Sequence, residues 1–156
     1  MYDEFKALDP RIEVKLCDYK SRSANKLIWT YKDNPDSVIV CFDDDKDYPV
    51  ECLEQLCSVW KKNQDCIIAQ EINPAVFFKQ DFIGYLNGMD IKLMQKEWGK
   101  YLSNACLFPP NCFSDELYDY DTFYYITQGN NDELWFWIMS TLNGVQSIGL
   151  NNTYSY

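Results

Sequence analysis

Three consecutive aspartates, Asp43, Asp44 and Asp45, directly follow a run of apolar and β-branched residues. Adjacent carboxylates repel one another, which raises their pKa values unless a cation or solvent relieves the repulsion. Asp43 and Asp45 are alternate residues, so both side chains can point to one side and chelate a hard divalent ion such as Mg²⁺ or Mn²⁺. The run predicts either a metal site that holds a diphosphate or a solvated acidic turn.

A second acidic pair, Asp132 and Glu133, begins a predicted helix that reaches Leu142. In the structural interpretation, Asn131 or Asp132 caps the helix and Glu133 is a favourable first-turn acid, together worth about 1 kcal/mol. In the chemical interpretation, one carboxylate faces a metal-bound substrate and acts as a general base. We favour Glu133 as the base because its side chain reaches further, and Asp132 as the cap.

Two basic residues, Arg22 and Lys26, lie near the beginning of an earlier predicted helix. In so acidic a chain, a local cation is what an anionic phosphate would need. The commoner explanation for such residues is a solvated helix face.

Two further segments could wall a pocket. Leu107–Asn111 contains two prolines and either lines a cleft or connects two elements. Phe123–Tyr125 could line a carbohydrate cleft or fill the core, and Trp137 is the best candidate for an exposed ring, since it lies off the apolar stripe of its helix.

The composition excludes several classes of protein. The 156 residues contain no histidine, which removes Ser-His-Asp sites, Cys-His sites and histidine-ligated metals. Asp and Glu number 24 against 14 Lys and Arg, a net charge of −10 that disfavours nucleic acids and anionic membranes. The seven cysteines form no CxxC pair and no disulfide pattern, which indicates a reducing cytoplasm. No run approaches the ~20 apolar residues of a transmembrane helix.

Hydrophobic spacing predicts an α/β sheet in a single domain, since strands and helices alternate along the chain. Ligands in such sheets bind at the carboxyl ends of strands, where the aspartate run lies. The segment from Asn73 to Asn111 is predicted to be mostly loop, with a short helix over Ile91–Trp98. The predicted strands and helices are strands Arg11–Leu16, Ser37–Phe42 and Cys66–Ala69 and helices Ala24–Lys32, Pro49–Trp60 and Asn131–Leu142.

Three of these motifs, in this order and spacing, resemble a bacterial family of glycosyltransferases with the GT-A fold. That family has a strand ending in DDD before Tyr-Pro, then a Pro-Pro-Asn loop, then a helix that starts D-D/E-x-W. The matching segments here are Val38–Asp45 with Tyr48-Pro49, Leu107–Asn111 and Asp132–Trp135. Lys26-Leu27-Ile28 is similar to the Lys-Leu segment that precedes the DDD strand. The resemblance covers about Arg11 to Gly144.

The resemblance implies a GT-A-like mixed sheet flanked by helices and a metal-dependent enzyme. Asp43 and Asp45 would bind Mn²⁺ or Mg²⁺, and Asp132 or Glu133 would deprotonate the acceptor hydroxyl. The expected donor-binding residues are Lys26, Asp43 and Asp44. The donor would be a nucleotide sugar and the acceptor a bacterial surface glycan precursor in the cytoplasm, with inversion at the anomeric carbon.

The chain departs from the family pattern at two places. Only ten residues precede the first predicted strand, where the family has a further strand-helix-strand unit. We therefore expect a truncated form whose exposed sheet edge self-associates or is covered by a partner segment. Leu102–Ala105 stands where the family has glycines, so side chains there could alter the acceptor site.

Two other functions fit the same residues. A non-catalytic remnant of the fold would bind a sugar or nucleotide without turnover. A metal-dependent phosphotransferase or nuclease could use the aspartate run, although the acidic surface disfavours polyanionic substrates.

Overall fold

A computed structural model describes residues 2–17, 19–78, 81–85 and 100–150. The described residues form five α-helices: α1 Tyr2–Leu8, α2 Asn25–Asp33, α3 Cys52–Trp60, α4 Tyr120–Thr127 and α5 Asp132–Leu142. They also form five strands: β1 Ile39–Cys41, β2 Ile67–Phe78, β3 Asp81–Tyr85, β4 Lys100–Phe108 and β5 Ser147–Gly149. Two short 3₁₀ segments, Tyr19–Ala24 and Asp115–Tyr118, precede α2 and α4.

The strands form one mixed sheet in which β4 lies between β1 and β2 and is antiparallel to both. Consequently β1 and β2 run in the same direction. On its other side β2 pairs with β5 in parallel along Ile67–Ala69, and its far half pairs with β3 as an antiparallel ribbon from Ala75 onward. The architecture is therefore mixed α/β, which confirms the fold class at that level.

Helices cover both faces of the sheet. Neighbouring residues of β2 point to opposite faces, as strand geometry requires. Ile67 packs in one cluster with residues of α2 and α5 such as Leu27 and Trp135, and Ile68 packs in a second cluster with Leu56 of α3. Two buried apolar layers thus hold the sheet between helices and fix the position of its strand ends.

Three helices and the starts of strands β1 and β2 were predicted near their observed positions. The helix over Ala24–Lys32 is α2, and its predicted apolar residues Leu27, Ile28 and Tyr31 are all buried. The helix predicted before Asn63 is α3, and the one reaching Leu142 is α5. These helices were readable because apolar residues recur every three or four positions.

Two predictions about strands are wrong. Arg11–Leu16 forms no strand: it pairs with none of the strands in the described ranges, and most of its residues are exposed. Most described residues in Asn73–Asn111 are strand rather than loop, since β2 extends to Phe78 and β3 and β4 follow. The helix predicted over Ile91–Trp98 lies outside the described residues.

The spacing in α5 predicts an apolar stripe of Leu134, Trp135, Ile138, Met139 and Leu142, and the structure departs from it at Leu142. Trp135, Met139 and Phe136 are buried, whereas Leu142 is 65% exposed. Trp137 was expected to be exposed, but it is half-buried and packs against the core. In the described ranges, no helix has both the length and the apolar character needed to cross a bilayer.

Candidate functional site

The aspartate run forms a turn directly after β1. The backbone N–H of Asp43 donates a hydrogen bond to the Tyr48 hydroxyl oxygen at 3.0 Å. The Tyr48 ring also packs edge-on against Phe42, with centroids 4.9 Å apart. Tyr48 therefore holds the turn closed and leaves Asp44 and Asp45 exposed at its tip. The sequence showed this tyrosine as part of a motif but not the bond it forms.

Lys26 lies at the centre of the site. The buried residues Leu27 and Ile28 fix α2 against the sheet, and this directs Lys26 toward the end of β1. Its Nζ lies 2.8 Å from Asp43 Oδ1, 2.8 Å from Asp132 Oδ2 and 3.3 Å from Glu133 Oε1. One ammonium thus joins three carboxylates that come from two distant parts of the chain.

The start of α5 places the second acidic pair. Asn131 caps the helix, because its side-chain oxygen accepts a hydrogen bond from the Leu134 N–H at 3.1 Å. Asp132 is the first helical residue, and only 4% of its side chain is exposed. Its assignment as the cap is therefore wrong: the carboxylate points inward to Lys26 and leaves the helix N–H groups to Asn131.

The protonation of this cluster follows from burial and charge. Burial is the largest cause that raises the pKa of Glu133, the Asp132 carboxylate raises it further, and Lys26 opposes both. Burial alone would lower the pKa of Lys26, but the neighbouring carboxylates outweigh it and raise that pKa above its ordinary value. Lys26 therefore stays charged, and Glu133 is a stronger proton acceptor than an exposed glutamate.

These residues line one cavity of about 660 Å³. Its charged lining consists of five carboxylates, Asp43, Asp44, Asp45, Asp132 and Glu133, and three cations, Arg22, Lys26 and Lys46. Five negative against three positive groups leave a formal charge of −2, which attracts cations and repels an unaccompanied diphosphate. All six site residues predicted from the sequence line this cavity.

The donor set fits a divalent cation that a substrate also holds. In the part of the chain that is described, no three His, Cys, Asp or Glu side chains are grouped as a metal cage. Mg²⁺, however, usually binds one or two carboxylates together with water and substrate phosphates. Asp45, at the exposed tip of the turn, is available for this role. Asp43 is already paired with Lys26 and lies 3.6 Å from Lys46 Nζ, so metal binding there requires one of these contacts to open.

The chain matches no protein-family model, no curated protein and no solved structure. The chemistry of this cavity is consequently the basis for inferring what the protein does.

Arg22 is held in the cavity wall by an unusual backbone. Its φ of 40° and ψ of −119° lie in a region that favours glycine, at a cost of about 1–3 kcal/mol for other residues. The guanidinium lies 5.3 Å from the centre of the Tyr124 ring. A Cβ on Gly129 would lie 3.1 Å from Arg22 Cδ, so the glycine leaves room for the arginine side chain. The sequence indicated a basic residue here but not this placement.

Lys46 was missed by the sequence analysis. It donates a hydrogen bond to Asn104 Oδ1 and thereby connects the aspartate turn to β4. Asn104 lies at an irregularity where two residues of β4 stand opposite Gln70 of β2, and its φ is 61°. Asparagine tolerates positive φ better than most residues. Asn104 therefore takes the bulge conformation without a glycine at this position.

The remaining segments divide between core and connection. Leu107–Asn111 is not part of the described cavity lining. Its first two residues end β4, the remaining three lead to the next segment, and the Asn111 N–H donates to the Pro35 carbonyl at 3.2 Å. Phe123 is buried against Trp135, with ring centroids 5.7 Å apart. Tyr125 is 84% exposed.

Proposed function

We propose that the chain is a metal-dependent glycosyltransferase with a GT-A-like fold. It transfers a sugar from a nucleoside-diphosphate donor to a hydroxyl of a glycan acceptor, with inversion at the anomeric carbon. The acceptor that the motifs favour is a bacterial surface glycan precursor.

One observation carries this proposal. Residues from α2, from the turn after β1 and from the first turn of α5 converge on one cavity, although Lys26 and Glu133 are 107 residues apart in the chain. The cavity volume of about 660 Å³ lies in the range of roughly 300–1,000 Å³ that is usual for small-molecule sites. It also combines an exposed carboxylate turn with a half-buried carboxylate whose pKa is raised.

Glu133 is the residue suited to accept the proton. As the acceptor oxygen forms its bond to the anomeric carbon, its proton passes to Glu133 Oε1 or Oε2. The bond between that carbon and the diphosphate oxygen breaks, and the leaving nucleoside diphosphate takes the electron pair. The raised pKa of Glu133 brings it closer to the value at which a general base is most effective near neutral pH.

Asp132 and Asp43 act through Lys26. Their carboxylates hold the ammonium from two sides, and the ammonium in turn lies 3.3 Å from Glu133 Oε1. Both are positioning residues in this scheme. Asp45 would hold Mn²⁺ or Mg²⁺, which when bound neutralises charge on the departing diphosphate.

The test is to incubate the purified protein with Mn²⁺ and a panel of nucleotide sugars, and to measure the release of nucleoside diphosphate. Release that stops when EDTA is added supports the proposal. Nucleotide binding without turnover would instead indicate the non-catalytic remnant. Absence of both binding and release would refute a donor site in this cavity.

Glu133→Gln should reduce the transfer rate by about 10²-fold or more while nucleotide affinity is retained, since a general base contributes on the order of 10²–10⁴-fold. Glu54→Gln is the matched control, because Glu54 also lies in the first turn of a helix but is exposed and does not line the cavity. Equal activity of the two variants would remove Glu133 from the chemistry.

A further inference from the structure

The three cations of the cavity differ in how far their charge is already compensated. Lys26 Nζ has three carboxylates within 3.3 Å. Lys46 bonds to Asn104 and lies 3.6 Å from Asp43 Oδ2. Among the described residues, no carboxylate forms an ion pair with Arg22. The positive charge that an incoming anion would meet is therefore centred on Arg22.

The position of Arg22 is also specified by its surroundings. The Tyr124 ring lies beneath the guanidinium at 5.3 Å, which orients the planar group without using its N–H donors. Gly129 provides the space for the side chain, since a Cβ there would lie 3.1 Å from Arg22 Cδ and 3.1 Å from Tyr124 Cζ. The backbone at Arg22 is strained. Strained residues of this kind are concentrated at active sites and ligand-binding sites, where the surrounding structure holds them in place.

We propose that Arg22, rather than Lys26, binds the diphosphate of the nucleotide donor. The guanidinium offers a fork of N–H donors that matches phosphate oxygens, whereas the Lys26 ammonium is occupied in holding the carboxylates. This inference rests on the proposed function, because it assigns the phosphate contact within the same cavity.

The experiment measures the binding of inorganic pyrophosphate, in the presence of Mg²⁺, by isothermal titration calorimetry. Arg22→Gln should weaken binding by about 10- to 100-fold, as expected for the loss of a charge-assisted contact. Arg22→Lys should recover only part of the affinity, because lysine keeps the charge but lacks the fork. Arg11→Gln is the matched control: Arg11 is the chain's other arginine, pairs with Asp9 and does not line this cavity.

A second variant separates the position of Arg22 from its charge. Gly129→Ala keeps every charged group, but the added methyl crowds both Arg22 Cδ and the Tyr124 ring and also stands at a φ of 73°. It should weaken pyrophosphate binding as well. Far-UV circular dichroism and the urea midpoint confirm that each variant is folded, which is expected for Arg22→Gln because Arg22 is exposed.

The outcomes distinguish this inference from the proposed function. If the unaltered protein binds pyrophosphate and Arg22→Gln binds it equally well, the Arg22 assignment is overturned while the donor site stands. If Lys26→Met abolishes binding in a folded protein and Arg22→Gln does not, the phosphate contact belongs to Lys26. If the unaltered protein binds neither pyrophosphate nor any nucleoside diphosphate, both the inference and the proposed function fail.

Discussion

Replacing Lys26 with methionine tests the electrostatic centre of the site. Methionine has an unbranched side chain of similar length to that of lysine, but it lacks the ammonium that joins Asp43, Asp132 and Glu133. The carboxylate of Asp132 is destabilised most, because only 4% of its side chain is exposed and the Lys26 ammonium lies 2.8 Å from its Oδ2 atom.

The expected cost is a loss of about 3 kcal/mol in the free energy of unfolding at pH 7.5. Removing one partner of a buried ion pair costs about 3–5 kcal/mol, since a charge is left in a low-dielectric environment. We take the lower end because 26% of the Lys26 side chain and 18% of the Glu133 side chain are exposed, so water relieves part of the penalty.

The loss in the free energy of unfolding should be smaller at acidic pH. In the unaltered protein, Lys26 opposes the rise in the pKa of Glu133 that burial and Asp132 cause. Without Lys26 that pKa rises further, so the folded variant binds protons more tightly than the unfolded chain. A group with a raised folded-state pKa contributes stability that is present below its unfolded pKa, about 4.3 for glutamate, and is lost as pH rises through the folded value. The variant should therefore be closer to the unaltered protein at pH 5 than at pH 7.5.

Urea unfolding followed by tryptophan fluorescence at pH 7.5 and pH 5 measures both effects. Lys32→Met is the control, because Lys32 lies on the same helix but is exposed above the Trp29 ring, a contact worth at most about 1 kcal/mol. A Lys26→Met variant that loses less than about 1 kcal/mol at pH 7.5, with an unchanged denaturant slope, would refute the reasoning.

Two further stability predictions concern asparagines at the site. Asn131→Ala should lower the free energy of unfolding by about 1 kcal/mol, because the cap to the Leu134 N–H is lost; a urea titration with no shift in midpoint would contradict the cap. Asn104→Ala should lower the free energy of unfolding by about 1–2 kcal/mol, because a positive φ is strained for alanine. Asn104→Gly should stay closer to the unaltered protein, and the reverse order of the two urea midpoints would contradict the role of backbone conformation.

The sequence by itself determined the local elements and the chemical types at the site. The spacing of Leu27, Ile28 and Tyr31 predicted α2, and the apolar run before Asp43 predicted a strand with carboxylates at its end. Such patterns are readable because a helix or a buried strand imposes its period on neighbouring residues. The zero count of histidine likewise limited the proton acceptors to other side chains.

Strand pairing was decided by the tertiary structure. Lys100–Phe108 contains polar residues and a bulge at Asn104, so its local pattern resembles a loop, yet β4 lies between β1 and β2. Its strand conformation depends on partners tens of residues away, which no local period records. Arg11–Leu16 shows the converse, since it alternates like a strand but pairs with none of the strands that the structure describes.

Long-range packing also decided how the charged residues of the site are arranged. The sequence contains Lys26, Asp43 and Glu133 as charged residues that could each be solvated, and nothing in their spacing specifies that one ammonium contacts all of them. Packing of α2 and α5 against the sheet brings the Lys26 ammonium within 3.3 Å of both carboxylates. The placement of Arg22 above Tyr124 likewise depends on a backbone conformation and on space left by Gly129. Local periodicity therefore determined which groups are present, and long-range packing decided which of them meet.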